Sequence, residues 1–243
     1  MIKEDLKKIR EELIKLDDKR KFKDILPKRS CYQEIYEVNK NKLNDIAICY
    51  MNSVTTFKQL FSKIYYLAKA LTEIGVKEGD SVAISTLATP EGVISFFAVN
   101  YIGATANMIN VFSGGDREIE EQMRKFNSKV LIAQDIFYNK RIRNIMDKVG
   151  VTNVVTTGLA DSLPATLNMD RAKFEMVEIL KSFGNQVSKD NRCIRFNDML
   201  NVGREAQMDI RPKYTPNKIA MVAYTSGSTG EPKAVAATNE AAV

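Results

Sequence analysis

The chain has 243 residues, 36 Lys+Arg against 30 Asp+Glu for a net charge of +6, three cysteines and no histidine. Without histidine, no imidazole base, imidazole metal ligand, or Ser-His or Cys-His pair can operate within these residues. A content of 44% hydrophobic and 27% charged residues excludes a disordered chain and leaves room for a sizeable core in one large domain or two small ones.

The basic excess is concentrated at the start, where residues 1–29 hold 11 Lys+Arg and 7 Asp+Glu. Within this head Ile2, Leu6, Ile9, Leu13 and Leu16 form one apolar stripe of a helix, and Pro27 ends the pattern. Interleaved signs such as Lys3-Glu4-Asp5 favour a solvated helix docked on its own domain over a nucleic-acid contact. No apolar run or small-residue cleavage site marks a secretory signal. Cys31, Cys49 and Cys193 are odd in number and contain no C-x-x-C pair, so neither a disulfide framework nor a zinc knuckle is expected. A reducing, cytoplasmic setting follows as the expectation.

From Ile46 the pattern alternates between strands and helices. An apolar run, Ile46 to Met51, precedes Thr56 and Gln59 at capping-box spacing, and an amphipathic helix through Leu60, Ile64, Ala68 and Leu71 closes at Gly75. Val82 to Ser85 reads as a strand. No charged residue stands between Glu91 and Asp116, a stretch long enough to cross a bilayer, but Gly92, Asn100, Gly103, Asn107 and Asn110 divide it. It resolves into an apolar helix, Glu91 to Tyr101, begun by Thr89-Pro90, and a buried strand, Thr105 to Val111. A charged helix over Asp116–Phe126, a strand over Lys129–Ala133, a helix over Ile136–Val149 and a strand over Asn153–Thr157 continue the alternation. Such spacing predicts βαβ units in an α/β fold, a mostly parallel sheet with helices on both faces. Residues 158–218, with helical patterns around Arg171–Phe183 and Phe196–Leu200, read as a surface excursion, after which Ile219 to Tyr224 is a short apolar strand.

That strand runs into Thr225-Ser226-Gly227-Ser228-Thr229-Gly230-Glu231-Pro232-Lys233. Four hydroxyls, two glycines and a lysine after a buried strand can present backbone N–H groups, hydroxyls and one positive charge to a polyphosphate. The loop is neither a Walker A loop nor G-x-G-x-x-G, because the glycine and lysine spacings differ. The alternative of a flexible Gly/Ser linker is opposed by the buried strand before it and by Pro232 and the apolar run after it.

At these residues the chain resembles the adenylate-forming superfamily of acyl-CoA synthetases, nonribosomal peptide synthetase adenylation domains and luciferases. Their signature loop, T-S-G-[ST]-T-G-x-P-K-G, is matched from Thr225 to Lys233. Its last glycine is replaced by Ala234, and the Ser/Thr-His that commonly follows is Thr238-Asn239. The resemblance extends back through Leu71 to Asp80, Pro90-Glu91, Gly103-Ala104 and Ser128 to Ile132. It implies the N-terminal subdomain fold of these enzymes, with residues 1–45 as a helical extension packing on the core and 46–243 as an incomplete AMP-binding domain.

The resemblance also implies an ATP-dependent ligase that activates a carboxylic acid as acyl-adenylate and passes it to a thiol, with ATP and Mg2+ as cofactors and coenzyme A as the expected co-substrate. Thr225, Ser226, Gly227, Ser228, Thr229, Gly230 and Lys233 would hold the β- and γ-phosphates, with Lys233 assisting catalysis as a mobile charge. No metal ligands, nucleic-acid contact or transmembrane segment are expected. The Y-G-x-T-E and T-G-D phrases of the superfamily do not occur, so the chain is expected to be the N-terminal part of such an enzyme and inactive alone. A non-catalytic nucleotide-binding module and a peptide synthetase adenylation domain are the alternatives.

Overall fold

The structure is a computed structural model that describes residues 28–110, 115–163, 171–185, 187–225 and 233–242. The apolar stripe of residues 2–16 lies outside the described residues. Ser30 instead caps a helix that the residue pattern did not announce, α1 (Cys31–Asn39), through a reciprocal capping box with Gln33. An antiparallel hairpin of β1 (Ile46–Tyr50) and β2 (Ser53–Thr56) leads into α2 (Phe57–Glu73), where Thr56 and Gln59 form the expected capping box.

The main sheet has seven strands: β3 (Ser81–Ser85), β4 (Thr105–Met108), β5 (Val130–Gln134), β6 (Asn153–Thr157), β7 (Cys193–Arg195), β8 (Ile219–Tyr224) and β9 (Ala234–Thr238). Their order is β7-β6-β5-β3-β4-β8-β9, and every pairing is parallel except β8 with β9. The connecting helices include α3 (Pro90–Ile102), α4 (Asp116–Lys125), α5 (Asp135–Phe137), a π-helical turn (Tyr138–Ile142) and α6 (Arg143–Val149). Beyond β6 come α7 (Arg171–Asn185), α8 (Phe196–Glu205) and, at the end, α9 (Asn239–Ala242).

The period-2 alternation of the strands sorts the core into two layers. Val82, Ile84, Val130 and Ile132 point to one face with α2, α3 and α8, in a cluster that includes Ile64, Leu67, Ile94, Val99 and Phe196. Ala83, Leu131 and Ala133 point to the other, against Ile119, Met123, Tyr138, Ile142 and Met146. Both faces of the sheet are covered, which is why its strands read as near-continuous apolar runs. The uncharged stretch after Glu91 is α3 followed by β4, separated by Gly103 in the left-handed conformation at φ 79°.

Two expectations need correction. The strand predicted to reach Val111 ends at Met108, because Ile84↔Met108 is its last pair with β3; residues 111–114 lie outside the described residues. Residues 158–218 are not merely a surface excursion. Cys193–Arg195 joins the sheet as β7, and α8 buries Phe196, Met199 and Leu200 in the core against α2. The packing is close enough that a Cβ on Gly203 would stand 1.8 Å from the Tyr66 carbonyl oxygen. Lys69, buried in α2, donates to the Ala206 carbonyl at the end of α8 at 2.5 Å.

Candidate active site

All six parallel strands end on one edge of the sheet, and β3 is followed through α3 by a neighbour on one side while β5 flanks it on the other. In open α/β sheets this edge, near such a reversal, is where ligands bind. The hydroxyl- and glycine-rich loop leaves the same edge at the end of β8.

β8 lies between parallel β4 and antiparallel β9, with Asn107↔Val222 and Tyr224↔Ala234 as register pairs. The hairpin stays closed one residue further: the Thr225 N–H donates to the Lys233 carbonyl at 3.0 Å, and the Lys233 N–H donates to Thr225 Oγ1 at 3.3 Å. Thr225 and Lys233, the first and last predicted site residues, are thus side by side and both solvent-exposed. Ser226, Gly227, Ser228, Thr229 and Gly230 lie outside the described residues, so only the mouth of the predicted phosphate loop is placed.

The strand before the loop is pinned by polar contacts that sequence reasoning did not assign. Tyr224 Oη donates to Asn107 Oδ1 at 2.8 Å and lies 3.1 Å from the Gln122 carbonyl. Asn107, fully buried in β4, donates onward to that carbonyl at 3.1 Å and to Ser128 Oγ at 3.3 Å. Burial pushes the Tyr224 phenol up to about 12, against the opposing Asn107 hydrogen bond, so it stays a neutral donor at physiological pH. An asparagine inside a buried parallel strand was the available signal, since a buried amide must find partners.

The strand after the loop is pinned at its far end by Asn239, where the superfamily's signature would lead to histidine. Asn239 is 4% exposed; its N–H donates to Lys218 O at 2.9 Å and its Nδ2 to Thr215 O at 3.0 Å. Its Oδ1 accepts from Asn100 Nδ2 at 3.3 Å, and Asn100 Oδ1 accepts the Tyr32 N–H at 2.8 Å. The chain of amides ties β9 to α3 and α1. Cys31 adds a contact from its thiol to the Ala242 carbonyl at 3.4 Å.

The other strand ends carry buried polar groups as well. Gln134 Nε2 donates to Thr157 O at 2.9 Å while its Oε1 accepts the Leu87 N–H at 3.3 Å. Among the described residues, no three His, Cys, Asp or Glu side chains stand together in a way that could hold a metal ion. Among them, too, no helix is long and apolar enough to cross a membrane.

The family model described as AMP-binding enzyme matches residues 36–243. The chain is 30% identical over 186 residues to 3-hydroxypropionyl-coenzyme A synthetase of Sulfurisphaera tokodaii, covering 75% of this chain and 25% of that protein. It is 27% identical over 199 residues to a long-chain-fatty-acid–CoA ligase of Bacillus subtilis, covering 80% of this chain and 34% of the relative. The chain therefore spans about a quarter to a third of the length of these relatives. Among solved structures, an anthranilate CoA ligase in complex with anthranoyl-AMP superposes with a TM-score of 0.66 at 22% identity, over 89% of this chain and 36% of that one. At that identity the likeness shows the fold.

Proposed function

The chain belongs to the AMP-binding enzyme family, and from that premise we propose that it carries the polyphosphate-binding part of an acid:CoA ligase that forms an acyl-adenylate from ATP. The observation that carries this reading is the closure of the β8–β9 hairpin by paired Thr225 and Lys233, at the C-terminal edge of a parallel sheet. A loop held at both ends in this way offers its hydroxyls and amides, Thr225 through Gly230, to the β- and γ-phosphates. In the first half-reaction a carboxylate oxygen attacks the α-phosphorus and the bond to pyrophosphate breaks. Lys233 and the loop donors neutralise charge as it builds on the departing group. In the second, a thiol such as that of coenzyme A attacks the acyl carbon and AMP leaves.

Magnesium would arrive with the nucleotide. In this reading residues 1–45 are an extension of the AMP-binding region 46–243, and the hydrogen bond of the Tyr32 N–H to Asn100 supports the packing of α1 on that region.

The reading is tested by titrating the 243-residue chain with MgATP and following the β- and γ-phosphorus resonances. Saturable shifts are expected, weakened about five-fold or more by Lys233→Ala, since one charge-assisted contact is lost. Because Lys233 is exposed, the urea midpoint should not move. Triphosphate resonances that respond identically in the two proteins would remove Lys233 from the site.

A further inference from the structure

At the C-terminal ends of β5, β6 and β7 lies a second recess, a cavity of about 370 Å3 lined by Asp135, Gly158, Asp161, Arg195 and Asp198 and by Leu180 of α7. Three strand spacings, ~14 Å, separate β5 from β8 and its loop. Asp135 is 3% exposed, and no donor meets either of its carboxylate oxygens at full hydrogen-bond geometry, although the backbone N–H groups of Asp135 and Ile136 at the start of α5 face it. Arg195 forms an ion pair with Asp135, its Nη1 3.6 Å from Oδ2, but at that distance it supplies charge and no hydrogen bond. Behind it Glu91, 1% exposed, accepts from Ser162 Oγ through one oxygen and leaves Oε2 without a partner. Asp161 Oδ2 accepts the Gly158 N–H at 2.7 Å. A Cβ built on Gly158 would meet Asp161 Oδ1 at 2.9 Å and Asp135 Oδ2 at 3.3 Å, so the two carboxylates close on the same backbone position from two sides.

Buried carboxylates are acceptors only and need donors; an unpaired one is among the costliest groups a fold can keep. Asp198 adds a further negative charge to the wall, and the other cation lining the recess, Lys181, is paired with Glu178 at 3.0 Å. Tyr50, above the same turn, spends its hydroxyl on the Leu159 carbonyl. The missing partner is thus a compact cation with several donors. Among the described residues no three His, Cys, Asp or Glu side chains form a group that could hold a metal ion, whereas a primary ammonium brings three donors on one small centre, with an alkyl stem that Leu180 can cover.

We propose that this recess binds the primary ammonium group of a small organic amine, with Asp135 and Asp161 as its acceptors. The volume is at the small end of ligand cavities, which limits the occupant to a few carbon atoms beyond the amine. Binding competes with protons, because both acceptors must be ionised and burial raises both carboxyls, that of Asp161 to about 6. The charged and titratable groups facing it are Glu91, Asp135, Asp198, Arg195, Lys181 and Tyr50, so affinity should fall on acidification below that value.

The test uses the 15N-labelled 243-residue chain at pH 7.5, titrated with n-butylammonium chloride at constant ionic strength, with the Gly158 amide as reporter. A saturable shift is expected, absent with tetramethylammonium, which has no N–H, and weakened about ten-fold or more by Asp135→Asn. Asp161→Asn serves as a second variant should the first fail to fold. An equal response to tetramethylammonium or to potassium, no saturation at millimolar amine, or unchanged affinity in a folded variant would each overturn the assignment. None of these results touches the nucleotide loop, so the two readings stand or fall separately.

Discussion

Replacing Gly203 by alanine sets two effects of opposite sign against each other. In the interior of α8, alanine should help, by about 1 kcal/mol on helix propensity. The added methyl, however, would lie 1.8 Å from the Tyr66 carbonyl oxygen, 2.6 Å from its carbonyl carbon and 3.1 Å from its Cα. These are backbone atoms in the middle of α2, so no rotamer change relieves the contact. Restoring an ordinary carbon–oxygen separation of about 3.2 Å requires α8 to retreat by more than 1 Å. That shift loosens Phe196, Met199 and Leu200, all 5% exposed or less, and strains the Lys69–Ala206 hydrogen bond at the end of α8. Overpacking costs about 1–3 kcal/mol and occasionally more, and a 1.8 Å approach to unyielding backbone places this case at about 3 kcal/mol, above the propensity gain. A net loss of about 2 kcal/mol is expected, read as a lower urea midpoint at unchanged m-value for the 243-residue chain. Stabilisation, or a loss below about 0.5 kcal/mol, would mean that α8 does not pack on α2 as described.

Further consequences concern the amide chain and the acidic recess. Asn239→Ala removes the donor to Thr215 O and leaves Asn100 Nδ2 buried without its acceptor; a loss of about 2 kcal/mol is expected. Hydrogen exchange at the Thr225 and Lys233 amides should accelerate with it, and exchange rates equal to those of the parent would deny that β9 is held from this end. The raised Asp161 carboxyl gives a pH dependence of definite sign. Its folded value of about 6 lies above the ordinary 3.8, so the folded state binds the proton more tightly. The contribution of Asp161 to stability is then largest below about pH 4, falls as pH rises to about 6 and stays low above it. In amine-free buffer at pH 7.5, Asp161→Asn should therefore stabilise the chain by about 2 kcal/mol, with its amide still accepting the Gly158 N–H. Chemical denaturation at pH 4.5 and 7.5 checks this, and a variant less stable than the parent at the higher pH would refute it.

Most of the sheet was legible because its strands obey local rules. Val82–Ser85 and Ile219–Tyr224 are largely apolar runs and Asn153–Thr157 is rich in β-branched residues, and all three are strands with nearly the expected ends. Helices with explicit caps were equally readable: Thr56 and Thr89 both sit at N-caps and accept the hydrogen bonds their spacing implied. What escaped was weakly patterned or non-local. β7 is three half-buried residues whose strand character comes from pairing with β6. The helix Cys31–Asn39 has a mean hydropathy near neutral and gains its place from Tyr32 against α3 and the aromatic ring of Tyr101.

The candidate site divides along the same line. The residue types from Thr225 to Lys233 name a phosphate chemistry without any coordinates, because hydroxyl, glycine and lysine side chains carry that chemistry wherever they stand together. That Thr225 faces Lys233 across an antiparallel pair, that Tyr224 is anchored through Asn107 to α4, and that Asn239 fastens the far strand are products of folding. So is the meeting of Asp135 and Asp161 at one cavity with Glu91 behind them: they come from the first turns of α5 and α3 and from the turn after β6, and each alone reads as an ordinary surface acid. Local pattern governs which segments become strands and helices because that choice rests on neighbours within a few residues. Which polar groups end up buried together depends on chain crossings tens of residues apart, and only the assembled sheet brings those to one edge.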